Sequence, residues 1–88
     1  MKIKEGFILR EIAGNNIIVP VGATTKQFSG MININSTGAF LFKLMQQTDI
    51  SKEELTAKLT EEYDVSAEIA NRDVDAFMKK IADAGICE

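Results

Sequence analysis

Histidine and tryptophan are absent from this 88-residue chain, and cysteine and proline occur once each, as Cys87 and Pro20. Without histidine, general acid-base work would fall to carboxylates, Lys43 or Tyr63, and a lone cysteine near the terminus lacks an evident activating base. A single cysteine forms no internal disulfide, and no plausible structural zinc set remains. No Gly-x-x-x-x-Gly-Lys or Gly-x-Gly-x-x-Gly fingerprint occurs, so a phosphate-cradling loop is not expected either. No apolar run approaches the ~18 residues that span a bilayer, and the basic start, Met1 to Glu5, precedes no apolar block of signal-peptide length. No enzyme, metal site, cofactor or membrane segment is expected, and the cytoplasm is the default location.

What is present must fold by packing. A chain this short buries only a little over ~60% of its unfolded surface and supports one core, so residues 1–88 are read as one domain. Its 45% hydrophobic content has to suffice. Charge is uneven: residues 1–48 carry five basic and two acidic side chains, and residues 49–88 five basic and eleven acidic, giving +3 and −6. An acidic C-terminal half repels phosphate and would gain little from counterion release, so nucleic acid is not an expected partner. The mildly basic half suits an acidic peptide or protein.

The β-rich runs Phe7–Ile12 and Asn16–Val21 flank Ala13-Gly14-Asn15, where Gly14 and Asn15 readily take positive φ, predicting an antiparallel hairpin. Pro20 is expected at the exit of the second strand or at a bulge, because it cannot donate to a central ladder. Residues 22–30, polar and bounded by glycines, read as a wing-like loop. A third strand is expected at Met31 to Ile34, with Ile32 and Ile34 on the core face and Met31 and Asn33 on the other.

Asn35, Ser36 and Thr37 are each competent to cap the helix that follows. That helix runs to about Gln47, and Ala39 to Met45 is apolar on most sides, as in a helix enclosed by other elements. Ser51-Lys52-Glu53-Glu54 is a capping box opening a second helix with the stripe Leu55, Leu59 and Tyr63. Asp64-Val65 breaks it, and Ser66 caps a third helix over about Ala67 to Ala84, in which Ala70, Val74, Phe77, Ile81 and Ala84 recur at three or four residues. Gly85 is placed for a left-handed cap. The expected architecture is α+β and winged helix-turn-helix-like: an N-terminal three-stranded antiparallel sheet followed by three helices.

From Phe7 onward the chain resembles the family of the coenzyme PQQ synthesis protein D, also described as RiPP recognition elements. The residues carrying the resemblance are the junction Ile34-Asn35-Ser36-Thr37-Gly38-Ala39-Phe40-Leu41-Phe42, then Glu61 to Val65, Asp73 to Phe77 and Ala84-Gly85-Ile86. Phe42 stands where the family often has tryptophan, and Thr48-Asp49 where a glycine-containing turn is common. The resemblance implies a non-catalytic peptide-binding module, a peptide chaperone. Such a module takes the leader of a ribosomally made precursor as an extra antiparallel strand beside the third strand and presents it to a modifying enzyme such as a radical-SAM maturase. A homodimer is left open.

The implied site comprises Met31, Ile32, Asn33 and Ile34 on the strand and Arg72, Asp73, Ala76, Phe77 and Lys80 on the third helix. The strand contains neither lysine nor proline, the usual guards of an exposed edge, though its shortness also protects it. Spacings of three and four place most of the helical set along one side. Each has a plainer reading: Phe77 lies on the core stripe, Arg72 and Lys80 fit a solvated face, Asp73 is within reach of Arg72, Asn33 suits an outward strand position, and Cys87 a fraying end. The alternatives in function are a winged-helix DNA-binding regulator and a scaffold subunit that binds a folded partner. Against the first, the third helix carries Glu68, Asp73, Asp75 and Asp83 beside Arg72, Lys79 and Lys80.

Overall fold

The computed structural model describes residues 2–28 and 30–88. Met1 and Ser29, which belong to the expected basic start and wing-like loop, lie outside the described residues. The element order is β1 (Phe7–Ile12), β2 (Asn15–Pro20), β3 (Ile32–Ile34), α1 (Ser36–Gln47), α2 (Lys52–Tyr63) and α3 (Ala67–Ala84). It is an α+β fold with the expected sheet-first order, and the strands run antiparallel in the order β1-β2-β3.

The hairpin closes on the pair Ile12 and Asn15, so its turn is the two-residue Ala13-Gly14, and Asn15, expected in the turn, opens β2. Ala13 has φ 52° and Gly14 φ 82°. Positive φ at both central residues is the geometry whose twist matches two right-twisted strands, and the twist imposes it on alanine despite the Cβ clash. Pro20 ends β2 opposite Phe7, where the strand leaves the ladder. The stretch after it is not an open loop: Gly22–Lys26 winds one 3-10 turn, and Phe28 folds back edge-on against Phe7, ring centroids 5.0 Å apart. An apolar ring eight residues past the strand suffices to tie the connection down.

Of three competent caps on α1, Asn35 is used: its Oδ1 accepts from the Gly38 N–H at 2.7 Å. Leu41, Phe42 and Met45 of α1 are fully buried. This helix touches α2, α3, β1 and β3, which is why its apolar residues extend around most of its circumference. The Ser51–Glu54 capping box forms at both ends, with the Glu54 N–H donating to Ser51 Oγ at 3.1 Å and the Ser51 N–H to Glu54 Oε1 at 3.4 Å. Leu55 and Leu59 are buried, but Tyr63, the last residue of their stripe, is 40% exposed. It stands at the helix end, beyond the core, with its ring edge-on to Phe40 and its hydroxyl donating to the Ser36 carbonyl at 3.4 Å.

Helix α3 follows its predicted stripe: Ala70, Val74, Phe77 and Ile81 are buried, and Gly85 at φ 75° turns the chain so that Ile86 returns to the core. Cys87 does not fray. It pairs antiparallel with Ile3, while the Lys4 N–H donates to the Ile86 carbonyl at 2.9 Å and the Glu88 N–H to the Lys2 carbonyl at 2.8 Å. Ile3 and Ile86, both buried, carry this closure into the same core as Phe42.

Candidate functional site

The free edge of the sheet builds the site. Among the described residues no strand pairs with the outer side of β3, so its backbone groups on that side have no sheet partner. The opposite edge is guarded: β1 exposes Arg10 and Glu11, and the Gln46 side chain of α1 donates to the Phe7 carbonyl at 2.9 Å. Charged side chains and a capping amide make β1 a poor template for another strand, whereas β3 carries neither device.

Beside β3 lies a groove of about 180 Å³, walled on one side by Ile34 and the first turn of α1 and on the other by Asp73, Ala76, Phe77 and Lys80 of α3. Three features shape it. Residues 73, 76, 77 and 80 fall along one side of α3, as the helical repeat requires. Ala76 contributes only a methyl group. Gly38 lets α1 approach: a Cβ there would sit 3.2 Å from Ile34 Cβ, Asn35 Oδ1 and a ring carbon of Phe77 at once. The glycine is therefore the point at which strand, cap and α3 close on one another.

The groove has an apolar floor and charged ends. Phe77, only 6% exposed, is mainly a core residue whose ring also lines the groove. Asp73 sits one turn before Ala76 and Lys80 one turn after. The Asp73 carboxylate has Arg72 Nε at 4.0 Å, a contact too long and too exposed to hold it firmly. Lys80 has no carboxylate within ion-pair distance among the described residues. The adjacent Lys79 is paired with Asp83 at 3.7 Å, and Lys52 of α2 with Asp75 at 2.6 Å.

Five of the nine expected site residues meet in this groove: Ile34, Asp73, Ala76, Phe77 and Lys80. Asn33 is exposed on the opposite face of β3, paired with Ile17 on β2, and Arg72 points its largely exposed side chain away from the lining. Met31 lies outside the strand, which begins at Ile32, and is 63% exposed. The pairing stops there because Ile18 opposite Ile32 is the last partner in register. Met31 and Ile32 instead line a second cavity of about 250 Å³ with Phe28, Ala84 and Ile86. Sequence reasoning missed Asn35, Thr37 and Gly38 as groove residues. The readable signal was Gly38 itself, a poor helix former in the first turn of an otherwise apolar helix.

Among the described residues no three His, Cys, Asp or Glu side chains gather to hold a metal ion, and no helix is long and apolar enough to cross a membrane. The family model of coenzyme PQQ synthesis protein D matches residues 7–86. No curated protein sequence matches the chain. A solved structure described as TbiB1 in complex with the TbiA(beta) leader peptide is similar over 100% of this chain and 95% of its own, with a TM-score of 0.73 and 18% identity. At that identity the likeness is one of fold.

Proposed function

The chain belongs to the coenzyme PQQ synthesis protein D family, and on that footing we propose that it is a peptide-binding module for the leader of a ribosomally made precursor. The observation that carries this reading is the unguarded edge of β3 running beside an apolar-floored groove. A leader segment adds there as a fourth antiparallel strand. Main-chain hydrogen bonds along β3 supply affinity, and alternate side chains entering the groove supply selectivity. A cavity of about 150 Å³ accepts a benzene ring, so this groove has room for one aromatic or branched aliphatic side chain. The fold likeness to a protein solved with a leader peptide supports the same reading.

The chain itself carries no chemistry in this proposal. It holds the leader while a separate maturase, of the radical-SAM type or similar, modifies the remainder of the precursor. The proposed contact residues are Ile32, Asn33 and Ile34 through their backbone and Asp73, Ala76, Phe77 and Lys80 through their side chains, with Met31 and Arg72 at the margins. A DNA-binding reading is disfavoured by the acidic residues of α3 and by the engagement of Lys79 with Asp83.

The test is an amide chemical-shift titration with leader peptides encoded by precursor genes adjacent to this one. The expected result is saturable shifts confined to residues 32–38 and 73–80. If no such leader moves those amides up to high micromolar concentration, the reading is wrong.

A further inference from the structure

The sheet has a second face, turned away from the helices, and it too is apolar. Side chains alternate between faces along a strand, so Phe7, Leu9, Ile18 and Ile32 point to the core while Ile8, Ile17 and Val19 point to the other side. Val21 continues that row, because its backbone is extended and its N–H donates to the Gly6 carbonyl at 2.8 Å. Ile12, two residues beyond Arg10 on the same face, ends the row beside the hairpin turn. Ile17 is buried yet stands outside the core, with Arg10 and Asn33 directly opposite it on the flanking strands, and the half-buried Ile8 and Val19 do not pack against the core either. The buried apolar side chains of α1, α2 and α3 all belong to the core on the opposite side. An antiparallel sheet with one solvated face alternates apolar and polar residues; the unbroken Ile17-Ile18-Val19 is the pattern of a strand covered on both faces.

Size and charge indicate what covers it. Six residues at about 3.3 Å and three strands at about 4.8 Å give a face of at most about 20 Å by about 14 Å, or about 300 Å². Apolar patches of that size mark interaction sites. A stable pair of copies draws about 800 Å² from each partner, well beyond this face. Packing two copies face to face would also set Arg10, the one charged strand residue on this side, against an identical face that carries no carboxylate. A single α-helix, about 10–12 Å wide with its side chains, matches the width of the sheet, and a helix laid on a sheet is a standard layer of protein architecture. Arg10 is exposed and has no carboxylate within ion-pair distance among the described residues, so its charge is available to such a helix.

We propose that this face docks an amphipathic helix of a partner protein, with the apolar stripe of the helix on Ile8, Val19 and Val21 and a carboxylate beside the stripe paired with Arg10. An interface of this area makes the docking transient. The inference goes beyond leader binding and does not depend on it. The outer edge of β3 and the groove against α3 stay open, because the helix lies on the other face of the sheet.

The experiment places the photo-crosslinking residue benzoylphenylalanine in the full chain, in place of Ile12 or of Val21, both already exposed, within cells of the organism that makes the protein. Crosslinked peptides are sequenced by mass spectrometry. Expected at both positions is the same segment of another protein, with apolar residues at i, i+3 or i+4, and i+7 and an Asp or Glu beside them. That segment, synthesised, should shift amides of β1 and β2 in the purified chain. Arg10→Glu should weaken it about fivefold, since an attraction becomes a repulsion, and a synthetic segment with Lys in place of its acidic residue should prefer the Arg10→Glu chain. Crosslinks to a second copy of this chain, a segment without helical spacing, an affinity indifferent to Arg10→Glu, or no crosslink at either position overturns the inference. Leader peptides should bind the Arg10→Glu chain as they bind the unaltered one, so a failure of leader binding and a failure of helix docking are told apart.

Discussion

Replacement of Asn35 by alanine removes the only side-chain cap of α1 and leaves the Gly38 N–H, in a buried backbone position, without its partner at 2.7 Å. Loss of an Asn cap costs about 1 kcal/mol and up to about 2. With a urea m-value of about 1 kcal/mol/M for a chain of this size, the unfolding midpoint should fall by about 1 M. Asn35→Asp keeps the acceptor oxygen and adds negative charge at a helix start whose first turn contains no acidic residue. The favourable interaction with the helix dipole is worth about 0.3–1 kcal/mol and is screened by salt. That variant should match or exceed the parent in dilute buffer and lose its advantage in concentrated salt. Ser36→Ala and Thr37→Ala should lie within about 0.5 kcal/mol of the parent, because neither hydroxyl serves as the cap. Equilibrium urea unfolding followed by circular dichroism measures all four. A full cap penalty at Ser36 or Thr37, or an aspartate as damaging as alanine, would refute the assignment of Asn35.

At the hairpin tip, Ala13→Asn should raise the melting temperature by several degrees, since asparagine tolerates the φ of 52° that alanine adopts at a cost of about 1–2 kcal/mol; a lower melting temperature would contradict the turn geometry. Ala76→Trp fills the groove from an exposed helix position, and should leave thermal stability within about 0.5 kcal/mol while weakening leader binding more than about tenfold by calorimetry. A double-mutant cycle on Lys52 and Asp75, whose side chains are 41% and 55% exposed, should give a coupling below about 1 kcal/mol that disappears in concentrated salt.

What could be read from the chain was local. The capping box Ser51–Glu54, the stripe Ala70–Val74–Phe77–Ile81 and the stop at Gly85 each lie within a few turns, and the physics that sets them needs no knowledge of distant residues. The candidate site was half legible for the same reason: the α3 side of the groove follows from helical spacing, whereas its α1 side depends on how closely two helices meet. Gly38 shows this, because its value is set by Ile34 and Phe77 across the interface. The Ile3–Cys87 bridge joins residues from opposite ends with no intervening periodicity, so a terminal cysteine looked idle. Tyr63 continued a helical stripe past the point where there was core left to receive it, and only the position of Phe40 explains its ring.

The bridge between Ile3 and Cys87 holds two segments distant in sequence, residues 2–4 and 86–88, side by side. With residues 2–4 hydrogen-bonded beside residues 86–88, a short linker from Glu88 to Lys2 would circularise residues 2–88 without displacing β3 or α3, and a new opening could be cut at the exposed Ala13-Gly14 turn. The same adjacency makes the module easy to insert: both junctions fit within one surface loop of a host protein, so a leader-reading cassette could be grafted in without separating the host's own flanking segments.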